Sequence, residues 1–298
     1  MKIRQWVSLL IHTHTWLPAA AMLSAASVFV AVSALRPRLP WLLGAAAAIG
    51  FSSFVYGYYS NARKYVRHPL LGHLSRRQYA EVWNGLAASP RRARAAACGK
   101  QEEDDLRRSA ERPVRNILEL TALGPQDEVL EIGCGVGRIG LELAPRCRFW
   151  TGVDISANMV AVALERLSGL KNVRLLELAR VSLEQFEAET FDITYATNMF
   201  DHLDEMDRWL YVKDAFRVLR PGGRLFIDNT DLESDAGWAP FARDASSTAE
   251  LDRPPYMPKP ATSAEYATYA RRAGFVQIQV HQRSPLLILT ARKPASDS

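Results

Sequence analysis

The sequence DEVLEIGCGVG, from Asp127 to Gly137, decides the fold of this 298-residue chain. Its first half is typical of a short buried strand, and its second half is a glycine-rich turn. Apolar residues between Arg138 and Ala144 recur at helical spacing, which predicts a helix directly after the turn. Glycine is needed where a chain turns sharply off a strand, or where a ligand approaches the main chain. The order of strand, turn and helix therefore predicts a ligand site at the amino end of the helix.

A second strand is predicted from Arg148 to Val153, and it leads directly into Asp154. An acidic side chain at this place, 17 residues after Gly137, can accept hydrogen bonds from both hydroxyl groups of a ribose. The same carboxylate could instead cap the helix predicted to follow Ser156. The sequence leaves both roles open.

Two kinds of ligand fit the glycine turn. The stretch from Gly135 to Gly140 satisfies G-x-G-x-x-G, a spacing that also serves dinucleotides. Glu131 favours another ligand, because a carboxylate repels a pyrophosphate and attracts the ammonium and sulfonium groups of S-adenosylmethionine (SAM). Cys134 is interpreted as a small turn residue and not as a nucleophile, since the sequence shows no basic partner for a thiolate nearby.

Later segments extend the alternation of strands and helices. FDITYA, from Phe191, predicts a strand and is followed by NMFDHL, from Asn198. The run from Asp214 to Ile227 predicts a helix, a Pro-Gly-Gly turn and another strand. The chain is then expected to close with a helix over 264–273 and an antiparallel pair of strands over 275–280 and 286–291.

These motifs together resemble those of class I SAM-dependent methyltransferases. EIGCGVG with its downstream VDIS is similar to the first two motifs, and FD…HL…RVLRPGGRLFI is similar to the later ones, close to the small-molecule and lipid branch. The resemblance covers roughly residues 79–293. It implies an α/β, Rossmann-like sheet, mostly parallel with an antiparallel last strand, and SAM as cofactor. It implies that SAM is bound by Glu131, Gly133, Cys134, Gly135, Gly137, Asp154, Ile155, Met159 and Asn198.

One position departs from the pattern of that family. After its third strand the family usually has an acidic residue that contacts the adenine amino group, and this chain has Ala179 there. Adenine must then be held in another way, by a backbone group or by Glu177 in a shifted alignment.

His202 and its neighbour Asp201 are the candidate catalytic residues. The methyl group of SAM is already activated, so that alignment of the two reactants can supply most of the acceleration. A hydroxyl acceptor also needs a base, and histidine titrates in a suitable range. In the family this position is often a histidine that only packs and hydrogen-bonds near the loop, so a structural role remains open as well.

Two uncharged stretches precede these motifs, from Trp16 to Leu35 and from Leu39 to Ser60. As helices they would be about 30 and 33 Å long, which matches the hydrocarbon thickness of a bilayer. A cleaved signal peptide or buried core helices are the alternatives, but the first run is too long for a signal peptide and a second follows at once. We therefore expect a transmembrane hairpin within residues 1–62.

Basic residues set the expected orientation of this hairpin. The link between the spans holds only Arg36 and Arg38, and more positive charge flanks the two outer ends. This predicts a cytoplasmic (inner) membrane protein with the catalytic domain facing the cytosol. Residues 63–115 are predicted to form a basic juxtamembrane and helical linker, and residues 116–298 the methyltransferase domain. The basic cluster either binds anionic headgroups or only enforces orientation.

Composition narrows the possible partners. The chain is 48% hydrophobic and 23% charged, which excludes a collagenous or wholly disordered protein. Its three cysteines form no C-x-x-C pair or Cys/His cluster, so no metal is expected. The basic segment lacks interleaved aromatic residues, so no nucleic acid is expected. The long stretch 228–265, rich in proline and aromatic residues, is predicted to be irregular and to form a substrate lid.

The prediction that combines these features is a membrane-anchored, SAM-dependent methyltransferase acting on a small-molecule or lipid-like acceptor, with the bilayer as its partner. A catalytically silent SAM-binding scaffold is one alternative. A nicotinamide-dependent oxidoreductase that uses Gly135 to Gly140 is another.

Overall fold

The computed structural model describes residues 76–247 and 257–295, which lie in the compact unit Leu74–Ser298. Three helices precede the sheet, namely α1 (Arg76–Leu86), α2 (Pro90–Cys98) and α3 (Glu103–Thr121). Leu106 and Ile117 of α3 are completely buried. The boundary predicted at residue 116 lies within α3.

A seven-stranded sheet forms the centre of the domain, with the strand order β3-β2-β1-β4-β5-β7-β6. Strands β1 to β5 pair in parallel, and β7 pairs antiparallel with both β5 and β6. The strands are β1 (Glu128–Ile132), β2 (Phe149–Asp154), β3 (Val173–Glu177), β4 (Phe191–Ala196), β5 (Leu219–Thr230), β6 (Val276–Arg283) and β7 (Leu286–Arg292). The Rossmann-like sheet with antiparallel final strands is thereby confirmed.

Helices cover both faces of this sheet. Successive residues of β5 alternate between the two cores, with Leu225 and Ile227 in one and Phe226 in the other. Strands covered on both faces are buried along most of their length, as the central strands β1, β2 and β4 are. The remaining helices are α4 (Gly140–Leu143), α5 (Ala157–Arg166), α6 (Glu205–Val218), α7 (Asp235–Ser247) and α8 (Ser263–Ala273), with 3₁₀ turns at Ala144–Arg146 and Phe200–His202.

The order of the strands determines at which edge of the sheet a ligand site can form. β1 lies between β2 and β4, so the connections leaving β1 and β4 run to opposite sides of the sheet. At such a switch point a crevice opens beyond the carboxyl ends of the strands. The glycine turn after β1, Asp154 after β2 and Asn198 after β4 all lie at this edge.

The prediction of an irregular stretch over 228–265 is wrong for its first half. β5 continues to Thr230, and α7 (Asp235–Ser247) follows it. Gly237 and Pro240 argue against a helix when the sequence is considered alone. Gly237 is nevertheless required in α7, because a Cβ there would lie 1.9 Å from the carbonyl oxygen of Asp231.

The predicted transmembrane hairpin and the basic segment up to residue 75 lie outside the described residues. Within residues 76–247 and 257–295, no helix combines the length and the apolar composition needed to cross a membrane.

Candidate active site

The glycine turn is fixed to the end of β2 by backbone hydrogen bonds. The amides of Gly133 and Cys134 both donate to the carbonyl oxygen of Val153, at 2.8 and 2.9 Å. Gly133 has a φ of +73°, and a Cβ at this position would lie 2.3 Å from Cγ of Met199. Both the backbone conformation and the close approach of Met199 therefore require glycine.

Asp154 binds the turn from the neighbouring strand. Its Oδ2 accepts a hydrogen bond from the amide of Gly135, and its Oδ1 accepts one from the amide of Ser156, both at 2.9 Å. Ser156 caps α5, because its Oγ accepts from the amide of Met159. The capping role considered for Asp154 thus belongs to Ser156. Burial raises the pKa of Asp154.

Glu131 is buried and oriented by a chain of two hydrogen bonds. Nε1 of Trp150 donates to the hydroxyl of Tyr195 at 2.9 Å, and this hydroxyl donates to Oε2 of Glu131 at 2.7 Å. Burial raises the pKa of Glu131 to about 8, and the hydrogen bond from Tyr195 opposes this rise. Glu131 is therefore a carboxyl group that needs a cationic neighbour to ionise fully near neutral pH.

Arg138 supplies positive charge to the same region. Its side chain is buried, and its guanidinium donates to the carbonyl oxygen of Ser109 in α3 at 2.7 Å. Burial lowers its pKa, and the charges of Glu131 and Asp228 oppose this effect. Sequence reasoning missed Arg138, although a charged residue directly after a glycine turn and within a predicted buried helix is itself a signal.

A single cavity of about 330 Å³ connects these groups. Such a volume lies in the range of small-molecule sites. Of the residues predicted to bind SAM or to act in catalysis, all except Gly137 line it. Sequence reasoning did not find several further residues of its wall, namely Tyr79, Trp83, Ala96, Ala97, Cys98, Gly99, Arg138, Ile139, Leu178, Val181, Thr197, Met199, Leu203 and Tyr211.

Cys134 lines the cavity, but its thiol is not activated. It is buried, and burial raises its pKa well above the ordinary value. The negative charges of Asp154 and Glu131 add to this rise. A thiol in such surroundings stays protonated, which agrees with its interpretation as a small turn residue.

Helix α1 forms part of the cavity wall and is hydrogen-bonded both to the segment after β2 and to the turn after β4. Oδ1 of Asn84 accepts hydrogen bonds from Oγ of Ser156 at 2.8 Å and from the amide of Asn158 at 3.1 Å. The hydroxyl of Tyr79 donates to the carbonyl oxygen of His202. Helix α1 therefore connects the segment after β2 with the turn after β4, although no motif in the sequence predicts this helix.

His202 and Asp201 lie together in the 3₁₀ turn after β4, and both line the cavity. Nε2 of His202 is 3.6 Å from Oδ1 of Asp201. The His202 ring packs edge-on against Trp83, with the ring centroids 4.9 Å apart. The structure thus brings both predicted catalytic side chains to the cavity.

A buried arginine holds this turn in place. Nε of Arg208, on α6, donates to the carbonyl oxygen of Phe200 at 2.9 Å, and its NH2 group donates to the carbonyl oxygen of Lys259. The third nitrogen of the guanidinium donates to Oε1 of Glu265 at 3.0 Å. Lys259 in turn donates its amide to the carbonyl oxygen of Asp201 at 2.6 Å. A planar guanidinium reaches these three acceptors from three separate nitrogens, whereas a lysine has only one nitrogen from which to donate.

Asp228 fixes the segment that leads into the turn. Its Oδ1 accepts a hydrogen bond from the amide of Asn198 at 2.8 Å, and Asn198 has a φ of +52°. Asp228 is buried at the end of β5, and burial raises its pKa to about 7.

The end of the cavity beyond Asp154 is apolar. Leu178 and Val181 line it after β3, whereas Glu177 and Ala179 are exposed and do not belong to the described wall. The amide of Leu178 is already bonded to the carbonyl oxygen of Asp154 at 2.7 Å. This geometry therefore does not support Glu177 as the residue that holds adenine.

The sheet order, the glycine turn and the acidic residue after β2 together define the Rossmann-like methyltransferase fold. Residues 129–223 match the family model described as a methyltransferase domain. Residues 129–223 therefore form part of a methyltransferase domain, and the sheet that contains them has the class I, SAM-dependent fold.

Two relatives that this chain matches are named as methyltransferases. The chain is 30% identical over 116 residues to a phosphoethanolamine N-methyltransferase of Triticum aestivum, which covers 39% of this chain and 23% of that protein. It is 30% identical over 114 residues to sterol 4-C-methyltransferase strm-1 of Caenorhabditis elegans, which covers 38% of this chain and 34% of that protein. The matched region thus spans only about a quarter to a third of each relative.

A solved structure has the same fold at low sequence identity. It is phosphoethanolamine N-methyltransferase 2 of Haemonchus contortus, in complex with phosphomonomethylethanolamine and S-adenosylhomocysteine. Its TM-score is 0.51 at 18% identity, and the match covers 61% of this chain and 52% of that chain.

Proposed function

We propose that this chain transfers the methyl group of SAM to a small-molecule or lipid-like acceptor. The observation that carries the proposal is one cavity that is lined both by the glycine turn with Asp154 and by the 3₁₀ turn with Asp201 and His202. We name the first the cofactor end and the second the acceptor end.

The cofactor end fits each part of SAM. Asp154 has lone pairs left to accept from the ribose hydroxyls, because each carboxylate oxygen receives one backbone amide in the structure. Glu131 suits the ammonium group, and Arg138 suits the carboxylate of the methionine part. Leu178 and Val181 offer apolar contact to adenine in place of the missing acidic residue. The glycine turn lets the ligand approach the backbone closely.

SAM, when bound, supplies a methyl group that a nucleophile can take by direct displacement at carbon. The chain's contribution is to align the acceptor and to exclude water, and helix α1, which lines the cavity, is hydrogen-bonded to Ser156 and to His202. His202 takes the proton that the acceptor loses, and the negative charge of Asp201, 3.6 Å away, stabilises the resulting imidazolium. Arg208 keeps both residues in place through the backbone of the turn.

We propose that the hairpin within residues 1–62 anchors this domain in the cytoplasmic membrane, with the domain facing the cytosol. Two uncharged stretches of 20 and 22 residues, flanked by basic residues, support the anchor. The membrane would then be a source of lipid-like acceptors. The sterol methyltransferase among the relatives is consistent with an acceptor of that kind.

The test uses the full chain purified in mild detergent. Calorimetry should show binding of SAM and of S-adenosylhomocysteine, and no binding of NAD(H). Methyl-labelled SAM is then incubated with the enzyme and either a membrane lipid extract or a soluble metabolite extract. We expect label in the lipid extract; label only in the soluble extract would leave the transferase and remove the lipid acceptor. Binding of SAM without transfer to either extract would support the silent scaffold, and retention of NAD(H) alone would support the oxidoreductase.

A further inference from the structure

The acceptor end contains a carboxylate oxygen that no group in the described structure satisfies. Oδ1 of Asp201 is inaccessible to solvent and accepts no hydrogen bond from the described residues. Nε2 of His202 lies 3.6 Å away, which is beyond hydrogen-bond distance. A buried polar atom without a partner costs free energy that a bound ligand can recover by donating to it. Asp201 lines the cavity and its side chain is 16% exposed, so a ligand there can contact the carboxylate, and rotation of the carboxylate about the Cβ–Cγ bond can bring Oδ1 to the ligand.

Aromatic side chains surround the same space. Trp83, Tyr79 and Tyr211 line the cavity, and Trp83 packs against the ring of His202. Aromatic rings attract cations through the negative charge of their faces, and tryptophan does so most strongly. A carboxylate among aromatic rings is an arrangement that favours an ammonium group.

The charged residues of the cavity wall also favour a cationic acceptor. Its described wall contains Glu131, Asp154 and Asp201, whereas Arg138 is its only lysine or arginine. Arg138 already donates to Ser109 and is the residue suited to the carboxylate of SAM. No cation of this wall is left for a phosphate or carboxylate on the acceptor.

Lys259 does not change this balance. Its Nζ donates to the carbonyl oxygen of His202 at 3.2 Å, behind the turn, and burial lowers its pKa. It does not belong to the described cavity wall. An anion bound at the acceptor end would instead lie beside Asp201, and the described cavity wall offers it no lysine or arginine other than Arg138, which is costly in a partly buried site.

We propose that the methyl acceptor is an amine without an anionic group close to its nitrogen. This inference rests on the proposed function and names its substrate class. The ammonium form docks with an N–H donated to the carboxylate of Asp201 and with Trp83 beside it. An acceptor such as phosphoethanolamine, whose name appears among the relatives, is disfavoured by the same geometry.

The reaction at an amine conserves protons and electrons at each step. The docked ammonium first gives a proton to His202, which frees the nitrogen lone pair. This lone pair forms the new N–C bond as the C–S bond breaks, and the electrons of that bond remain on sulfur as the thioether of S-adenosylhomocysteine. The methylated nitrogen becomes an ammonium, which Asp201 stabilises, and His202 passes its proton to solvent on release.

The test sorts acceptors by charge. Metabolite and lipid extracts are separated by ion exchange into cationic, neutral and anionic pools, and each is incubated with the full chain and methyl-labelled SAM. We expect at least tenfold more label in the cationic pool, and ethanolamine to be a better acceptor than phosphoethanolamine. Label mainly in the neutral or anionic pool would overturn the inference while leaving the proposed function intact. SAM binding with no label in any pool would instead overturn the proposed activity.

Variants of Asp201 and Trp83 test the recognition itself. Asp201→Asn should raise KM for the labelled amine at least tenfold, with the affinity for SAM unchanged, and Trp83→Leu should raise KM to a smaller extent. Asp244→Asn, an exposed change on α7, is the matched control and should have no effect. A structural role for Asp201 would lower the melting temperature and the affinity for SAM together. Unchanged KM in a folded Asp201→Asn protein would overturn the proposed role.

Discussion

The two ends of the cavity are built from different kinds of sequence. The cofactor end comes mainly from one strand-turn-helix unit and the strand after it, between Glu131 and Met159. The acceptor end joins segments that are far apart in the chain, since the hydrogen bond from Tyr79 to His202 spans 123 residues. The first end is local and recognisable as a motif, whereas the second depends on packing. Changes at one end should therefore leave the other end largely intact.

The largest expected effect lies at the acceptor end. His202→Ala should lower kcat by roughly 100-fold or more, because a general base usually contributes that much, and should leave the affinity for SAM within about twofold. Steady-state kinetics and calorimetry measure the two quantities. His202→Phe keeps a ring against Trp83 without a titratable nitrogen, so activity in this variant would show that His202 only packs. His281→Ala, on β6 and bonded to Thr290, is the control.

The next effect lies at the cofactor end. Asp154→Ala should weaken SAM binding by about 10- to 100-fold, because it removes charged acceptors for the ribose and for the amides of Gly135 and Ser156. Asp154→Asn keeps one acceptor oxygen and should fall between this variant and the wild type. Calorimetry gives the affinity. An unaltered dissociation constant in Asp154→Ala would contradict the ribose role.

Arg208→Lys should produce a smaller effect, confined to the acceptor end. A lysine cannot bond Phe200, Lys259 and Glu265 together, so the turn that carries His202 should shift. We expect kcat to fall about tenfold with SAM affinity unchanged, since small misplacements of catalytic groups are costly. A loss of SAM affinity equal to the loss in kcat would indicate general destabilisation instead. Arg243→Lys, an exposed change on α7, is the control.

The smallest effect is a pH dependence at the cofactor end. The pKa of Glu131 is about 8 in the structure, set by burial and by Tyr195, Arg138, Asp154 and Asp228. A bound cation lowers this pKa, so binding of SAM at pH 7 should release close to one proton. Affinity should rise by less than tenfold between pH 6.5 and 7.5.

Calorimetry in buffers of different ionisation enthalpy measures the proton release. Glu131→Gln cannot release this proton, and the slope against buffer enthalpy should disappear in that variant. A slope that persists in Glu131→Gln would assign the proton to another group. No slope in the wild type would show that Glu131 binds SAM in its protonated form.

The sequence predicted the cofactor end well for a physical reason. A buried strand, a glycine turn and an acidic strand end each impose local constraints on residue type, and all three were found in the predicted order. The antiparallel pair β6 and β7 was also confirmed, because alternating and apolar runs separated by a turn are local signals.

The prediction of an irregular stretch over 228–265 is wrong because local preference does not show a packing contact. Gly237 suggests a break when the sequence is considered alone, but in α7 its missing Cβ allows contact with the carbonyl oxygen of Asp231. This contact leaves no periodic pattern in the sequence from which it could be inferred.

The sequence by itself determined the class of fold, the cofactor that it suits and the residues that follow β1 and β2, because these depend on short-range steric and charge rules. Its prediction of a membrane hairpin depends on hydropathy alone. Only the tertiary structure decided that α1 lines the cavity, that Arg208 holds the turn that carries Asp201 and His202, and that Oδ1 of Asp201 has no donor among the described residues. These features depend on which distant side chains meet in a desolvated space, where an unpaired charge or a misplaced backbone becomes costly.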